Sequence, residues 1–184
     1  MPIVLSCDPG APNFGFSVID FKTSKKGKLE PKILELGILN NVLRDIKHNP
    51  KAELKKMSVE LLSKTKLHKP EFFIAERFLA RSFRTNLAES IPMMLGYILK
   101  SLPPKTIVHL TPAVTWKAAA KKVFNLKKLD TIYKEVICTP HELDAVLLAF
   151  FGTDALYLLN DADFWEGIKC QIYNIKNPKK SHAT

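Results

Sequence analysis

Ile3-Val4-Leu5-Ser6-Cys7-Asp8-Pro9-Gly10 is an apolar run that ends in an acid and a turn, and Phe14-Gly15-Phe16-Ser17-Val18-Ile19-Asp20-Phe21 follows it almost at once. The first run reads as a buried strand over 2–8 and the second as a strand over 14–21. Only a short link with Gly10, Pro12 and Asn13 separates them, which favours an antiparallel hairpin. A charged, glycine-containing turn from Lys22 to Lys28 leads into Lys32-Ile33-Leu34-Glu35-Leu36-Gly37-Ile38-Leu39-Asn40, a third strand over 32–40.

Leu54, Met57, Leu61 and Leu62 recur at helical spacing and predict a helix over 50–68, stopped by Pro70. Phe72-Phe73-Ile74-Ala75-Glu76 predicts a fourth strand over 71–76, parallel to the first if the helix between them is a crossover. Beyond it come a basic loop over 77–85, a helix over 86–101, a fifth strand over 105–110 and one or two Lys-rich helices over 112–136 with a break near Asn125. Thr139-Pro140-His141-Glu142 is a capping box with proline at the first helical position. It opens a last long helix that runs through Asp144, Val146, Leu147 and Phe150 to Leu159. Residues 160–184 read as a C-terminal tail of mixed order, not a separate domain, so the domain proper is 1–159. The order predicts an α/β fold with a five-stranded mixed sheet, three antiparallel strands then two parallel, flanked by helices. That order, with an acid ending strand one and another ending strand four, resembles the RNase H-like fold.

Composition narrows the class. A chain of 184 residues at 46% apolar and 25% charged is ordinary globular protein with room for a full core. Its 28 Lys and Arg against 18 Asp and Glu leave a charge of +10, which points to a polyanionic partner, most simply nucleic acid. Charge alone fits a merely basic protein too. Cys7, Cys138 and Cys170 are odd in number and have no CxxC spacing, so neither a disulfide framework nor a structural zinc site is indicated. No apolar stretch approaches the roughly 20 residues of a membrane span. A soluble, intracellular protein without membrane contact is expected.

Four residues carry the chemistry: Asp8 and Glu76 at strand ends, and His141 and Asp144 three apart on one face at a helix start. Each has a plain structural alternative. Asp8 suits the turn before Pro9-Gly10, Glu76 a solvated strand end, and His141 a surface position near a helix terminus. Glu142 stands at the reciprocal capping position, which favours capping over catalysis. Asp144 lies among Leu143, Ala145, Val146 and Leu147, where an acid needs a partner or a metal. Together they make a site for divalent ions and phosphodiester hydrolysis. Two ions about 4 Å apart can activate a water and stabilise the leaving oxyanion, and magnesium wants hard oxygen ligands.

The blocks Ser6-Cys7-Asp8-Pro9-Gly10, Ile74-Ala75-Glu76-Arg77-Phe78 and His141-Glu142-Leu143-Asp144-Ala145 resemble the three catalytic blocks of RuvC-type Holliday junction resolvases. Thr111-Pro112-Ala113-Val114-Thr115-Trp116-Lys117 resembles the proline-then-lysine segment of that family. The likeness spans roughly residues 2 to 158. It implies an endonuclease that acts as a homodimer on four-way DNA junctions and makes paired symmetric nicks with Mg2+ or Mn2+. Asp8, Glu76 and Asp144 would be metal-binding carboxylates. His141 matches a position held by Asp or His in the family and would bind metal or steady developing charge. Lys117 matches a lysine near the scissile phosphate. The resemblance also implies an aromatic wedge after the strand-four acid, where Phe78, Leu79 and Phe83 stand. It places the dimer contact at the helix over 86–101. A bacterial or phage-infected cytoplasm is the setting it suggests.

Arg77, Arg81 and Arg84 flank Phe78 and Phe83, a pattern that suits phosphate clamping and base stacking. Lys121 and Lys122, with Lys127 and Lys128, suit phosphate contacts that give affinity without sequence choice. Three rivals remain open at this point. An RNase H-like nuclease could act on RNA–DNA hybrids or structured RNA, an actin-like phosphotransferase also ends its first strand in Asp-x-Gly, and a catalytically silent nucleic-acid-binding module could carry the same charge.

Overall fold

The computed structural model describes residues 2–9, 13–40, 50–77 and 87–178. Among them the chain runs β1 (Ile3–Pro9), β2 (Asn13–Thr23), β3 (Leu29–Asn40), α1 (Pro50–His68), β4 (Phe72–Arg77), α2 (Leu87–Ser101), β5 (Ile107–Pro112), α3 (Ala113–Val123), α4 (Asp130–Glu135) and α5 (Pro140–Gly152). A 3-10 turn (Leu156–Asn160) and α6 (Ala162–Lys176) follow. The described strands form one five-stranded sheet in the order β3-β2-β1-β4-β5. The pairs β1–β2 and β2–β3 are antiparallel, and β1–β4 and β4–β5 are parallel. This is the mixed sheet the sequence predicts.

β1, β2 and β4 are mostly apolar because helices cover both faces of the sheet there, whereas β5 at the edge is exposed over 107–110. On one face, Leu5, Cys7, Phe14, Phe16, Phe73 and Ala75 pack with Leu61 of α1 and with Ile91, Met94, Leu95 and Ile98 of α2. On the other, Val4, Ile19, Phe21 and Ile74 pack with α3, α5 and α6. Fully burying a large apolar side chain contributes roughly 1.5–3 kcal/mol, so the two layers together hold the sheet.

The period of two along each strand decides where the acids go. Val4 and Ser6 face α5, and so does Asp8; Ile74 faces α5, and so does Glu76. Buried Ser6 donates to Ala145 O at 2.7 Å and lies 2.6 Å from the Ser17 hydroxyl, tying α5 to two strands. Two glycines let the helix lie close. A Cβ on Gly15 of β2 would stand 2.1 Å from His141 O, and one on Gly152 would stand 2.4 Å from the Ile74 side chain.

Several elements depart from their predicted bounds. Strand five begins at Ile107 rather than 105 and runs to Pro112, because its register is set by β4, with Phe72 opposite Ile107 and Arg77 opposite Pro112. The helix after the capping box ends at Gly152, not Leu159. Thr153 turns its hydroxyl back to Ala149 O at 2.9 Å, and Asp154 takes a left-handed φ of 55° that reverses the chain. The apolar run Ala155-Leu156-Tyr157-Leu158-Leu159 continues in sequence but forms a 3-10 turn. The stretch beyond 160 holds a regular element in place of a tail of mixed order. α6 is capped by Asp161, which accepts from Phe164 N at 2.8 Å, and it buries Trp165, Ile168 and Ile172. Gln171 hydrogen-bonds to β3 at Ile33 N (2.8 Å) and Pro31 O (3.2 Å). The break near Asn125 is present, with Asn125 at a φ of 52° between α3 and α4.

Candidate active site

Parallel pairing puts Cys7 opposite Ala75, so Asp8 and Glu76 leave neighbouring strands at the same end and on the same face. The start of α5 lies across that end. The capping box fixes it there: Glu142 N donates to the Thr139 hydroxyl at 3.3 Å, and Thr139 N donates to Glu142 Oε2 at 2.9 Å. Glu142 is wholly buried and its other oxygen is ion-paired with Lys176 at the end of α6. Its part is structural, as the capping pattern indicates.

The structure brings together Asp8, Glu76, Lys117, His141 and Asp144. His141 Nδ1 lies 2.5 Å from Asp8 Oδ2. Lys117 Nζ lies 2.8 Å from Asp144 Oδ2 and 3.9 Å from Glu76 Oε2. Two aromatic donors complete the cluster. Trp116 Nε1 donates to Glu76 Oε2 at 3.0 Å, and the Tyr133 hydroxyl donates to Asp144 Oδ1 at 2.5 Å. Trp116 is fully buried, and Lys117 beside it stands 4.9 Å from its ring centroid. Sequence reasoning missed the roles of Trp116, Tyr133, Lys176 and Gly15. Trp116 lies inside the segment ending at Lys117, but nothing local marks the other three.

The electrostatics are those of acids crowded out of water. Burial raises the pKa of Glu76, and the charge of Asp8 adds to it. Burial also raises Asp144, although Lys117 and the Tyr133 hydroxyl oppose the rise. The hydrogen bond that His141 donates to Asp8 raises the imidazole above its ordinary value, against the effect of burial. For Lys117 burial acts to lower the pKa, but Asp144 and Glu76 outweigh it and the ammonium is stabilised.

The three carboxylates are hard oxygen donors of the kind magnesium or manganese takes, and the His141 imidazole is a borderline nitrogen donor beside them. Among the described residues, no three His, Cys, Asp or Glu side chains are grouped closely enough to share one ion as they stand. Lys117 reaches both Glu76 and Asp144, and His141 takes one oxygen of Asp8. The chain thus draws its own cations onto these acids, and the charge that a divalent ion would satisfy is in place. By donor type and charge the residues fit such an ion.

The predicted nucleic-acid contacts divide. Arg77 is exposed at the end of β4, next to Glu76. Phe78, Leu79, Arg81, Phe83 and Arg84 lie outside the described residues. Lys121 shares the Lys117 side of α3, one turn on. Lys122 is exposed and lines a separate groove with Asn125, Tyr157 and Asn160. On α2, Ile91, Met94, Leu95 and Ile98 face the core, while Met93 and Tyr97 are exposed on the outer side with Gly96 between them.

A sheet in the order 3-2-1-4-5, with acids ending β1 and β4 and a helix-borne acid laid across them, is the RNase H-like fold. Solved structures narrow it further. The chain matches the structure of Thermus thermophilus RuvC at 17% identity and a TM-score of 0.55, covering 85% of this chain and 95% of that one. It matches T. thermophilus RuvC in complex with Holliday junction substrate at 18% identity and a TM-score of 0.56, covering 84% and 97%. It matches the yeast mitochondrial Holliday junction resolvase Ydc2 at 13% identity and a TM-score of 0.51, covering 97% and 83%. No protein-family model and no curated protein sequence matches. The chain has the RuvC-type resolvase fold. No described helix is long and apolar enough to cross a membrane.

Proposed function

We propose that this chain is a divalent-metal-dependent DNA endonuclease that resolves four-way junctions by paired symmetric nicks, with a place in DNA recombination and repair. The observation that carries the reading is the meeting at one sheet end of three acids from distant parts of the chain, Asp8 on His141 and Glu76 and Asp144 on Lys117. Burying like charges together is costly, and a site for cations and phosphates gives that cost a use. The likeness to the resolvase structures supports the same activity.

Asp8, Glu76 and Asp144, with His141 beside Asp8, would hold Mg2+, or Mn2+ in its place, in a two-ion site. Such ions supply an activated water and stabilise the leaving oxyanion. The chain's own groups do the rest. Lys117 offers a positive charge at the edge of the cluster, where a scissile phosphate would enter. His141 holds the Asp8 carboxylate in one orientation. Arg77 and Lys121 flank the site and suit phosphate contacts on the arms of the DNA. The outer side of α2, with Met93, Gly96 and Tyr97, is the surface through which two copies would pair to give two coordinated cuts.

The test is cleavage of labelled four-way DNA junctions with Mg2+ and then Mn2+, mapped on all strands beside linear duplex and RNA–DNA hybrid. Symmetric paired nicks in junctions support the proposal. Cleavage of hybrid with no junction preference would keep the metal site and move the function to an RNase-type enzyme.

A further inference from the structure

Asp144 is held from two sides by donors of different character. Lys117 Nζ approaches Oδ2 on a flexible four-carbon stem, and its side chain is about a third exposed at 35%. Tyr133 approaches Oδ1 with a rigid ring, its hydroxyl 2.5 Å away. The ring is set by its neighbours. Leu129, Ile132 and Val136 of the same segment are buried in the core, and Tyr133 packs against that core itself.

We propose that Tyr133 is a positioning residue whose hydroxyl fixes the plane of the Asp144 carboxylate and so presents it to a divalent ion. The inference rests on the metal-dependent reading given above. A carboxylate turns easily about its last torsion, which has only a broad two-fold preference. A short O–H···O− bond to one oxygen removes that freedom and directs the other oxygen. Lys117 cannot do this alone, because it also faces Glu76 and has a mobile stem. Groups that orient a metal ligand from outside typically matter by about 10–100-fold in metal affinity or activity.

The experiment compares the wild-type chain with Tyr133→Phe, which keeps the ring and its packing and removes only the donor. Three quantities are measured: Mn2+ affinity of the protein without DNA by calorimetry, junction affinity in EDTA, and single-turnover junction cleavage. Melting temperature is followed alongside. Mn2+ affinity and cleavage rate are each expected to fall by about 10-fold, with junction affinity and melting temperature unchanged. Tyr133→Phe with wild-type Mn2+ affinity overturns the inference, and so does a lower melting temperature with unchanged metal affinity and rate. A wild-type chain that binds Mn2+ yet leaves junctions uncut removes the junction-resolving function instead, and the comparison of Mn2+ affinities still decides the part of Tyr133.

Discussion

His141 and Asp8, separated by 133 positions in sequence, meet with Nδ1 2.5 Å from Oδ2. This contact joins the first turn of α5 to the end of β1 and couples the protonation of the site to the stability of the fold.

The sign of that coupling follows from the shifts. His141 is raised above its ordinary value of 6.5 by its bond to Asp8, so its contribution is complete below that value and is lost as pH rises through the folded one. Glu76 and Asp144 are raised above 4.5 and 3.8 by burial, so the folded chain holds their protons more tightly and ionising them also weakens it. In EDTA the melting temperature should therefore be higher at pH 6 than at pH 8, and added Mg2+ should narrow the difference. Equal melting temperatures at the two pH values, in EDTA, would contradict this electrostatic account.

Asp144→Asn and Glu76→Gln each remove one negative charge near bound phosphate while keeping shape. Cleavage of junctions should drop by about 1000-fold, an order set by losing several kcal/mol of transition-state stabilisation. Junction binding should be kept or tightened. Joint loss of binding and cleavage in a folded variant would show that these acids serve the fold and not the chemistry.

Gly15→Ala places a Cβ 2.1 Å from His141 O, a backbone atom that no side-chain rotation relieves. Overpacking of this kind costs about 3 kcal/mol, or roughly 6–12 °C in melting temperature for a chain of this size. Because the displaced atoms belong to the turn that carries His141, cleavage should also fall in the protein that remains folded at 25 °C. A stable and fully active Gly15→Ala variant would mean that α5 sits farther from β2 than described.

Lys176→Met leaves the Glu142 carboxylate buried without its counter-ion. Breaking such a pair costs about 3 kcal/mol when one partner is partly exposed. Glu142→Gln combined with Lys176→Met should recover most of the loss, since no unpaired charge remains. Glu142→Gln alone should leave cleavage largely intact. A collapse in rate there would put Glu142 among the groups that act on the substrate.

The thiols give an independent check of packing. Burial raises Cys7 well above its ordinary value, and burial together with the charge of Glu142 pushes Cys138 up to about 12. Cys170 is exposed on α6. Of the 3 cysteines, one should react promptly with a thiol reagent at pH 8 and all should react in guanidinium. Prompt reaction of Cys7 in the native protein would require an opened sheet.

Much of this architecture was legible because strands covered on both faces are apolar almost throughout and the acids end those runs. Asp8 and Glu76 stand out for that reason, and the parity of Val4-Ser6-Asp8 and Ile74-Glu76 turns both toward α5. The capping box at Thr139 and Glu142 is a local pattern and was equally plain. What escaped depends on contacts between distant segments. Tyr133 is one phenol in a Lys-rich stretch, and only the folding of α4 against α5 shows its target. Lys176 lies 34 residues from Glu142. The stripe Trp165, Ile168, Ile172 had helical spacing, but its partner β3 lies far away in sequence. The end of α5 was misplaced because apolar periodicity continues past Asp154, where a left-handed residue stops the helix.

The Glu142–Lys176 pair also makes the first turn of α5 lean on α6. The first turn of α5 carries His141 and Asp144, yet the buried charge within that turn is balanced only by a side chain at the far end of the last described helix. A chain cut short after α5 would keep Asp8, Glu76 and Asp144 but lose that counter-ion. The described helix farthest in sequence from Asp8 thus helps to hold the turn that carries His141 and Asp144.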